Sequence, residues 1–179
     1  MEESTVLFEG DVVERMISRM AHEIAEHLHD SESLLLLGIE RGGVALARRL
    51  KQLVSRYADS DVLCATLDVT AFRDDQRRAA LDDDCRTSRA AIPSVEGRHV
   101  ILVDDVLYTG RTVRSAIDAV MLTGRPAKIE LCVLVDRGHR ELPIKADYVG
   151  KNIPTARGEE IEVSLPEDTG KNVIRLVRK

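Results

Sequence analysis

The fold is set by a run of thirteen residues, Val100-Ile101-Leu102-Val103-Asp104-Asp105-Val106-Leu107-Tyr108-Thr109-Gly110-Arg111-Thr112. Its first four residues are apolar, as expected of a strand that is buried on both faces of a parallel sheet. Two carboxylates, Asp104 and Asp105, stand at the predicted end of that strand. A Thr-Gly-Arg-Thr turn then opens a predicted helix over residues 109–122. The run therefore predicts a strand, an acidic pair and a helix in direct succession.

The flanking segments repeat this alternation of strands and helices. Apolar runs predict strands at residues 34–38, 62–69, 99–103, 129–135, 148–150, 161–165 and 173–177. Helical spacing follows Asp11, which is the expected N-cap, and recurs over residues 44–57. Such alternation predicts an α/β fold with a doubly wound, mainly parallel sheet flanked by helices. Ligands of these sheets bind beyond the carboxyl ends of the strands, so the chemistry is expected in the loops there.

Composition and charge exclude several classes of protein. The chain has 179 residues, 44% hydrophobic and 32% charged, which predicts one domain over residues 1–179 with a substantial core. A net charge of −5 gives no reason to expect indiscriminate nucleic-acid binding. Three separated cysteines suit a reducing cytoplasm better than a disulfide framework. No apolar run approaches the roughly 20 residues of a membrane span, so the protein is predicted to be cytoplasmic.

Two other kinds of site, a glycine-rich nucleotide loop and a zinc-protease site, are disfavoured by the sequence. The chain contains neither Gly-x-x-x-x-Gly-Lys-Ser/Thr nor Gly-x-Gly-x-x-Gly, which argues against an NTPase or a dinucleotide enzyme. His22 and His27 are five residues apart, whereas the zinc-protease motif needs a spacing of four to place both on one helical face. These histidines are therefore interpreted as surface residues of the first helix.

The turn after the acidic pair has the features of a phosphate site. A helix N-terminus binds anions, and the hydroxyls of Thr109 and Thr112 can add hydrogen bonds. Asp104 and Asp105 can accept hydrogen bonds from the vicinal hydroxyls of a ribose. The Thr-Gly-Arg-Thr turn argues against the alternative, an acidic pair that binds a metal as in response regulators. Together these residues predict a cradle for ribose 5-phosphate, with a phosphate loop made of Val106, Leu107, Tyr108, Thr109, Gly110, Arg111 and Thr112.

A second functional segment is predicted at residues 72–92. This stretch contains five Arg and five Asp and almost no large apolar residue. A long loop that cannot bury itself is uncommon in a compact domain unless it has a function. We therefore predict a flexible active-site lid here, with Arg73 reaching the leaving group.

The thirteen-residue run resembles the phosphoribosyl pyrophosphate signature of type I phosphoribosyltransferases. Residues 67–75, 124–126 and 133–155 are similar to one branch, the bifunctional pyrimidine (pyr) operon attenuation regulator and uracil phosphoribosyltransferase family. Residues 136–155 are the most specific part, because most phosphoribosyltransferases have no such sequence. One departure is clear. The family usually shows Thr-Arg-Gly after the first strand of the sheet, whereas this chain has Glu40-Arg41-Gly42-Gly43.

The resemblance implies a type I phosphoribosyltransferase fold with a small hood. It implies transfer of ribose 5-phosphate from phosphoribosyl pyrophosphate to uracil, giving UMP and pyrophosphate. Mg²⁺ would serve as cofactor, held through the substrate rather than by direct protein ligands. The resemblance also implies UMP-dependent binding to the leader of a pyrimidine-operon mRNA, attenuation of transcription by termination, and assembly into homodimers or larger oligomers.

Roles for individual residues follow from the resemblance by position. Asp104, Asp105 and Arg73 would be catalytic, and the pyrophosphate loop would consist of Glu40, Arg41, Gly42 and Gly43. Asp136 and Arg137 would face the uracil. RNA contacts would be made by Arg19, His22, Arg140 and Lys145.

Two alternative functions stay open from the sequence. A 6-oxopurine phosphoribosyltransferase would share the phosphate loop but should lack residues 136–155 in this form. A nucleotide-sensing RNA-binding regulator with little or no catalysis would be consistent with the altered pyrophosphate loop.

Overall fold

The computed structural model describes residues 3–28, 33–70, 92–166 and 170–178. The described helices are α1 (Asp11–His27), α2 (Gly43–Ala58) and α3 (Arg111–Thr123). The described strands are β1 (Glu3–Glu9), β2 (Leu34–Ile39), β3 (Leu63–Leu67), β4 (His99–Leu107), β5 (Lys128–Asp136), β6 (Tyr148–Asn152), β7 (Glu159–Ser164) and β8 (Val173–Arg178). None of the described helices has the length and apolar character needed to span a membrane.

The central sheet contains five parallel strands in the order β3-β2-β4-β5-β6. The chain moves outward from β2 to β3 on one side, and from β4 through β5 to β6 on the other. The junction of β2 and β4 is therefore the point where the strand order switches. Ligands of doubly wound sheets bind in the crevice beyond this junction. The predicted doubly wound, mainly parallel α/β sheet is confirmed.

Both faces of the sheet are buried, each in its own apolar cluster. Successive residues of each strand point to opposite sides, so they enter different clusters. Leu36 and Ile101 belong to the apolar cluster that contains the buried faces of α1 and α2. Leu35 and Leu102 belong to a second cluster that contains the buried residues of α3. The unbroken apolar runs of β2 and β4 follow from this double burial.

The hood is a three-stranded antiparallel sheet in the order β1-β8-β7. Its residues Ile161 and Ile174 are buried in the same cluster as α1 and α2, so the hood packs on that side of the molecule. β1 was not predicted from the sequence. Residues 3–6 are exposed and show no clear alternation, and the strand forms by pairing with β8 at the far end of the chain.

Two predicted boundaries were wrong. Asp11 is the first residue of α1 rather than its N-cap; the cap position is Gly10, whose φ of 54° lets the chain turn into the helix. β4 continues to Leu107, so Asp104 and Asp105 lie inside the strand rather than after it. The reason is that β5 continues to pair alongside β4, as far as Leu107 opposite Asp136. These ladder hydrogen bonds outweigh the low strand propensity of aspartate.

A buried polar network lies at the amino ends of the central strands. His99 Nε2 and a Glu130 carboxylate oxygen are joined by a hydrogen bond of 2.6 Å, and Tyr148 donates to the same oxygen over 3.1 Å. Lys128 is paired with the other oxygen of Glu130. Burial alone would raise the pKa of Glu130, but hydrogen bonds from Lys128 and His99 bring it below its ordinary value. The network therefore keeps a buried carboxylate ionised.

We predict that His99→Ala lowers the free energy of unfolding by about 2–3 kcal/mol, because it leaves a cavity and takes one partner from a buried carboxylate. Urea unfolding at neutral pH measures the change. The control is His27→Ala, which removes an exposed ring with one 3.2 Å hydrogen bond to Tyr148 and should cost under about 1 kcal/mol. Equal losses in the two variants would refute a special role for the buried network.

Candidate phosphoribosyl site

The pyrophosphate loop lies against the end of β4. A Cβ atom on Gly43 would come within 2.0 Å of the Val103 carbonyl oxygen, and one on Gly42 within 2.2 Å of the Asp105 carboxyl carbon. A side chain on Gly43 would meet backbone, whereas one on Gly42 would displace the Asp105 carboxylate. The peptide bond between Glu40 and Arg41 is cis, and both of these side chains are exposed. The structure thus brings the predicted pyrophosphate loop and the acidic pair together.

The two residues of the acidic pair, Asp104 and Asp105, differ in how deeply they are buried. Asp104 is 8% exposed, whereas Asp105 is partly exposed toward the pyrophosphate loop. Asp104 accepts a hydrogen bond from the Asp105 backbone N–H (2.9 Å), and Asp105 accepts one from the Val106 N–H (2.7 Å). Burial, assisted by the neighbouring charge of Asp105, raises the pKa of Asp104 well above its ordinary value. Hydroxyl donors or a cation placed here would stabilise the charged form.

The phosphate loop leads directly from β4 into α3. Gly110 occupies the cap position of α3 with a φ of 92°, in the left-handed region that favours glycine. Gly110 has no side chain that could cap the helix, and helix N-termini of this kind are known anion sites. Thr109 accepts a hydrogen bond from the Arg111 backbone N–H (3.3 Å), which shapes the turn. Tyr108 is 37% exposed at the outer side of the loop.

Residues 136–142, which we call the strap, run from the end of β5 along this loop. Three backbone N–H groups of the strap donate to carbonyl oxygens of the phosphate loop: Arg137 to Leu107 (3.1 Å), and Glu141 and Leu142 to Thr109 (3.0 and 3.3 Å). An ion pair between Arg111 and Glu141 (2.6 Å) adds a side-chain contact between the two segments. The phosphate loop and the strap therefore form one hydrogen-bonded unit.

Arg137 is held on several sides. Its guanidinium lies 4.0 Å from the centre of the Tyr108 ring, Nε donates to the Thr155 hydroxyl (3.1 Å), and the Glu159 carbonyl accepts a further hydrogen bond. The side chain is only 6% exposed. A uracil contact by this guanidinium would have to compete with its bonds to Thr155 and Glu159.

Arg140 is also committed to internal contacts. Its guanidinium donates to the carbonyl oxygens of Ile144 (2.9 Å), Tyr108 (2.8 Å) and Gly138 (3.3 Å), and it pairs with the Asp136 carboxylate. The sequence placed Arg140 outside the catalytic loops, on an RNA surface. In the structure the strap folds back onto the phosphate loop, so the Arg140 guanidinium contacts that loop through the Tyr108 carbonyl oxygen, and its RNA role stays a prediction.

The other candidate RNA residues lie elsewhere. Arg19, on α1, is 49% exposed and donates to the carbonyl oxygens of Val149 (3.0 Å) and Gly150 (2.6 Å). His22, one helical turn further, is exposed and stacks on Tyr57 with 3.7 Å between ring centres. Lys145 is exposed beyond the strap. Arg19 is thus an oriented basic group rather than a freely moving one.

Part of the predicted site lies outside the described residues. Arg73 and the predicted lid, apart from Ile92, belong to the range 71–91. Within the described ranges, no group of three or more His, Cys, Asp or Glu side chains is arranged to hold a metal ion.

Sequence reasoning missed two features of the site. The first is the stack of Arg137 on Tyr108, and the second is the set of bonds that ties Arg140 to the phosphate loop. The available signal was the Asp-Arg-Gly-His-Arg segment directly after β5, at the edge where the ligand was expected. Arg137 was assigned to the site on this ground, and Arg140, three positions further, could have been placed beside the same loop.

Comparison with known proteins agrees with this geometry. The phosphoribosyl transferase domain model matches residues 7–168. The bifunctional protein PyrR of Oceanobacillus iheyensis is 44% identical over 180 residues, covering 100% of both chains. PyrR of Streptomyces coelicolor is 44% identical, covering 99% of this chain and 92% of the relative. Among solved structures, the hypoxanthine phosphoribosyltransferase of Trypanosoma cruzi superposes with a TM-score of 0.71 and 24% identity, covering 97% of this chain and 96% of the other. That likeness shows the fold.

Proposed function

The chain belongs to the PyrR family of phosphoribosyltransferases, and from this we propose that it transfers the ribose 5-phosphate of phosphoribosyl pyrophosphate to uracil, giving UMP and pyrophosphate. We propose further that it regulates pyrimidine-biosynthesis genes by UMP-dependent binding to their leader RNA, as a homodimer or larger assembly. The family resemblance inferred from residues 100–112 and 136–155 is confirmed by these full-length relatives. The observation that carries the proposal is the meeting of Gly42, Asp105 and the phosphate loop at the switch point of the sheet.

In this transfer, C1 of the ribose loses pyrophosphate through a cation-like transition state while a uracil nitrogen approaches from the opposite face. No covalent nucleophile on the protein is required. Asp104 and Asp105 orient the ribose by accepting hydrogen bonds from its hydroxyls, and the N-terminus of α3 binds the 5-phosphate. Arg41, in the pyrophosphate loop, supplies positive charge where negative charge develops on the leaving group.

Mg²⁺ fits the chemistry of this edge of the sheet. Phosphate oxygens are donors that Mg²⁺ prefers, so the ion would be held through the substrate, and the Asp105 carboxylate adds negative charge beside the pyrophosphate loop. Because the raised pKa of Asp104 reflects burial next to a like charge, a nearby cation would favour its ionised form. Bound with the substrate, Mg²⁺ would neutralise charge on the leaving pyrophosphate.

Calorimetric titration with UMP and with IMP tests the base assigned to the site. We expect UMP to bind at least about tenfold more tightly, a difference of about 1.4 kcal/mol. Equal or tighter binding of IMP would contradict uracil as the acceptor and would support a 6-oxopurine transferase instead.

The RNA function is supported by exposed basic groups on a protein of net charge −5. Arg19 is partly exposed and is held by two backbone carbonyls of β6, so it offers an oriented charge at low entropic cost. Lys145 is exposed beyond the strap. Basic side chains of this kind bind RNA through phosphates, which makes the affinity dependent on salt.

We predict that Lys145→Gln lowers the slope of log affinity against log salt by about 0.7, the value expected for one phosphate contact on single-stranded RNA. Filter binding of the organism's own pyrimidine-operon leader RNA, with saturating UMP, measures the slope. Arg125→Gln removes one exposed positive charge at the opposite edge of the sheet and serves as the control, with no expected change in slope. If both substitutions lower the slope equally, Lys145 acts only through the overall field of the protein.

A further inference from the structure

Three side chains join the hood to the two helices beneath it, and we call them the hood anchor: Glu14 of α1, Arg49 of α2, and Asn172, which directly precedes β8. Arg49 Nη1 donates to Asn172 Oδ1 (2.8 Å), and Asn172 Nδ2 donates to Glu14 Oε1 (2.6 Å). Arg49 Nη2 is paired with the same Glu14 oxygen. This amide orientation satisfies both partners, since its oxygen faces the guanidinium and its nitrogen faces the carboxylate. Each member of the anchor therefore bonds to the other two.

The anchor lies where the chain passes from the hood into α1. β1 ends at Glu9, and Gly10 turns the chain into the helix with a φ of 54°. The Gly10 N–H donates to the Asn172 carbonyl oxygen (3.0 Å), so both the backbone and the side chain of Asn172 hold this junction. A surface crevice of about 520 Å³, lined by residues 9–11 and 170–173 among others, adjoins the anchor. The junction is therefore held by hydrogen bonds beside an open space.

Apolar contacts hold the hood on the molecule, but they do not by themselves fix its angle. Ile161 and Ile174 are buried in the cluster that contains α1 and α2. Apolar burial depends on the area removed from water and has no preferred direction, whereas hydrogen bonds depend on distance and angle. Arg49 supplies two directional bonds from a side chain that is only 14% exposed. Its planar guanidinium thus sets how the hood meets the helices.

The β7–β8 ladder connects the anchor to the base end of the site. It begins with Val173 opposite Ser164, directly after Asn172, and extends to Glu159 at the other end of β7. There the Glu159 carbonyl oxygen accepts a hydrogen bond from Arg137, which is predicted to face the uracil. At about 3.4 Å per residue β7 spans about 17 Å, so a tilt of about 5° at one end moves the other end by about 1.5 Å. Donor–acceptor distances of good hydrogen bonds vary over only about 0.5 Å, so a tilt of this size would disturb the base contacts.

We propose that Arg49 is a positioning residue for base binding. Through Glu14 and Asn172 it sets the angle of the hood, and through the β7–β8 ladder it places Arg137 at the base end of the site. The inference deepens the proposed function and rests on it. Arg49 belongs to neither the phosphate loop nor the pyrophosphate loop, so its replacement should affect binding of the base and not of the ribose phosphate.

Calorimetric titration with UMP and with ribose 5-phosphate separates the two ends of the site. Both ligands carry the 5-phosphate, and only UMP carries the base. For Arg49→Met we expect UMP to bind about tenfold more weakly, with ribose 5-phosphate within about twofold of the wild type. Equal weakening of both ligands in the folded variant, or no weakening of either, would overturn the inference while the transferase site stands. If the wild type binds neither ligand, the proposed function fails and the inference fails with it.

Arg48→Met is the matched control, because Arg48 is the adjacent arginine of α2 and its side chain is exposed. It should leave both affinities within about twofold. Asn172→Ala removes the hood's member of the anchor and should weaken UMP binding as much as Arg49→Met does. The double variant should be no weaker than either single variant, because both substitutions break the same anchor. Losses that multiply to about a hundredfold would show that the two residues act independently and would contradict the anchor.

Steady-state kinetics supply a readout that a loss of stability alone would not produce. In Arg49→Met, KM for uracil should rise about tenfold while KM for phosphoribosyl pyrophosphate stays within about twofold. A lower apparent kcat with both KM values unchanged would mean that Arg49 serves only stability, and the inference would be wrong. Thermal melts check folding. If Arg49→Met does not fold, the same titrations and kinetics on Asn172→Ala decide the matter.

Discussion

Replacing both Asp104 and Asp105 by alanine lowers kcat/KM for UMP synthesis at least about a hundredfold. Each carboxylate is proposed to accept charge-assisted hydrogen bonds from the ribose, worth about 1.5–3 kcal/mol apiece, and the sum exceeds the 2.7 kcal/mol or so of a hundredfold effect. Steady-state kinetics with varied phosphoribosyl pyrophosphate measures the loss. Near wild-type turnover in a folded double variant would show that the ribose is bound elsewhere.

Asp104, the buried member of the acidic pair, should lower the stability of the ligand-free protein at neutral pH. Burial beside Asp105 raises the pKa of Asp104 above its ordinary 3.8, so the folded state binds this proton more tightly than the unfolded state. The stability contributed by this group is therefore complete below the unfolded pKa and is lost as the pH rises through the folded pKa. Asp104→Asn should accordingly raise the Tm of the free protein at neutral pH. The gain should shrink as the pH falls toward 3.8.

Gly42→Ala is the second substitution with a large expected effect. A Cβ atom would lie 2.2 Å from the Asp105 carboxyl carbon, a distance that forces the pyrophosphate loop or the carboxylate to move. Displacement of reacting groups by about 1 Å can cost about a hundredfold in rate, so we expect a loss of that order in kcat/KM. The fold should survive, because the atoms that the Cβ would meet belong to the Asp105 side chain rather than to backbone.

Gly158→Ala is the matched control for this substitution. A Cβ atom on Gly158 meets nothing within 4 Å, so the same chemical change should leave kcat/KM within about twofold of the wild type. Circular dichroism and thermal melts on both variants separate loss of activity from loss of structure. Full activity in Gly42→Ala would mean that the close approach of the two loops has no part in catalysis.

Features encoded by local pattern could be predicted from the sequence. The apolar runs of β2 and β4 and the helical spacing of α2 depend only on neighbouring residues, and these elements were found within a few positions of their predicted ends. The meeting of residues 40–43 with Asp105 followed from topology, since residues 40–43 follow β2 and Asp105 lies near the carboxyl end of β4, the adjacent parallel strand. The position of residues 106–112 between β4 and α3 could be predicted because these residues are contiguous.

Features that depend on distant parts of the chain could not be predicted in this way. β1 pairs with β8 across nearly the full length of the sequence, and its exposed residues carry no strand pattern of their own. Arg140 contacts the carbonyl oxygen of Tyr108, which lies 32 positions earlier, and no local pattern indicates that contact. Long-range pairing of β4 with β5 likewise extended the strand beyond the acidic pair.

Transfer of ribose phosphate to uracil is the central claim, and turnover of labelled uracil tests it most directly. Purified protein is incubated with labelled uracil, phosphoribosyl pyrophosphate and Mg²⁺, and UMP and pyrophosphate are measured together, with hypoxanthine in place of uracil in a parallel reaction. We expect equal amounts of UMP and pyrophosphate, and no comparable product from hypoxanthine. Folded protein that binds UMP but forms none, or that prefers hypoxanthine as the acceptor, would contradict it.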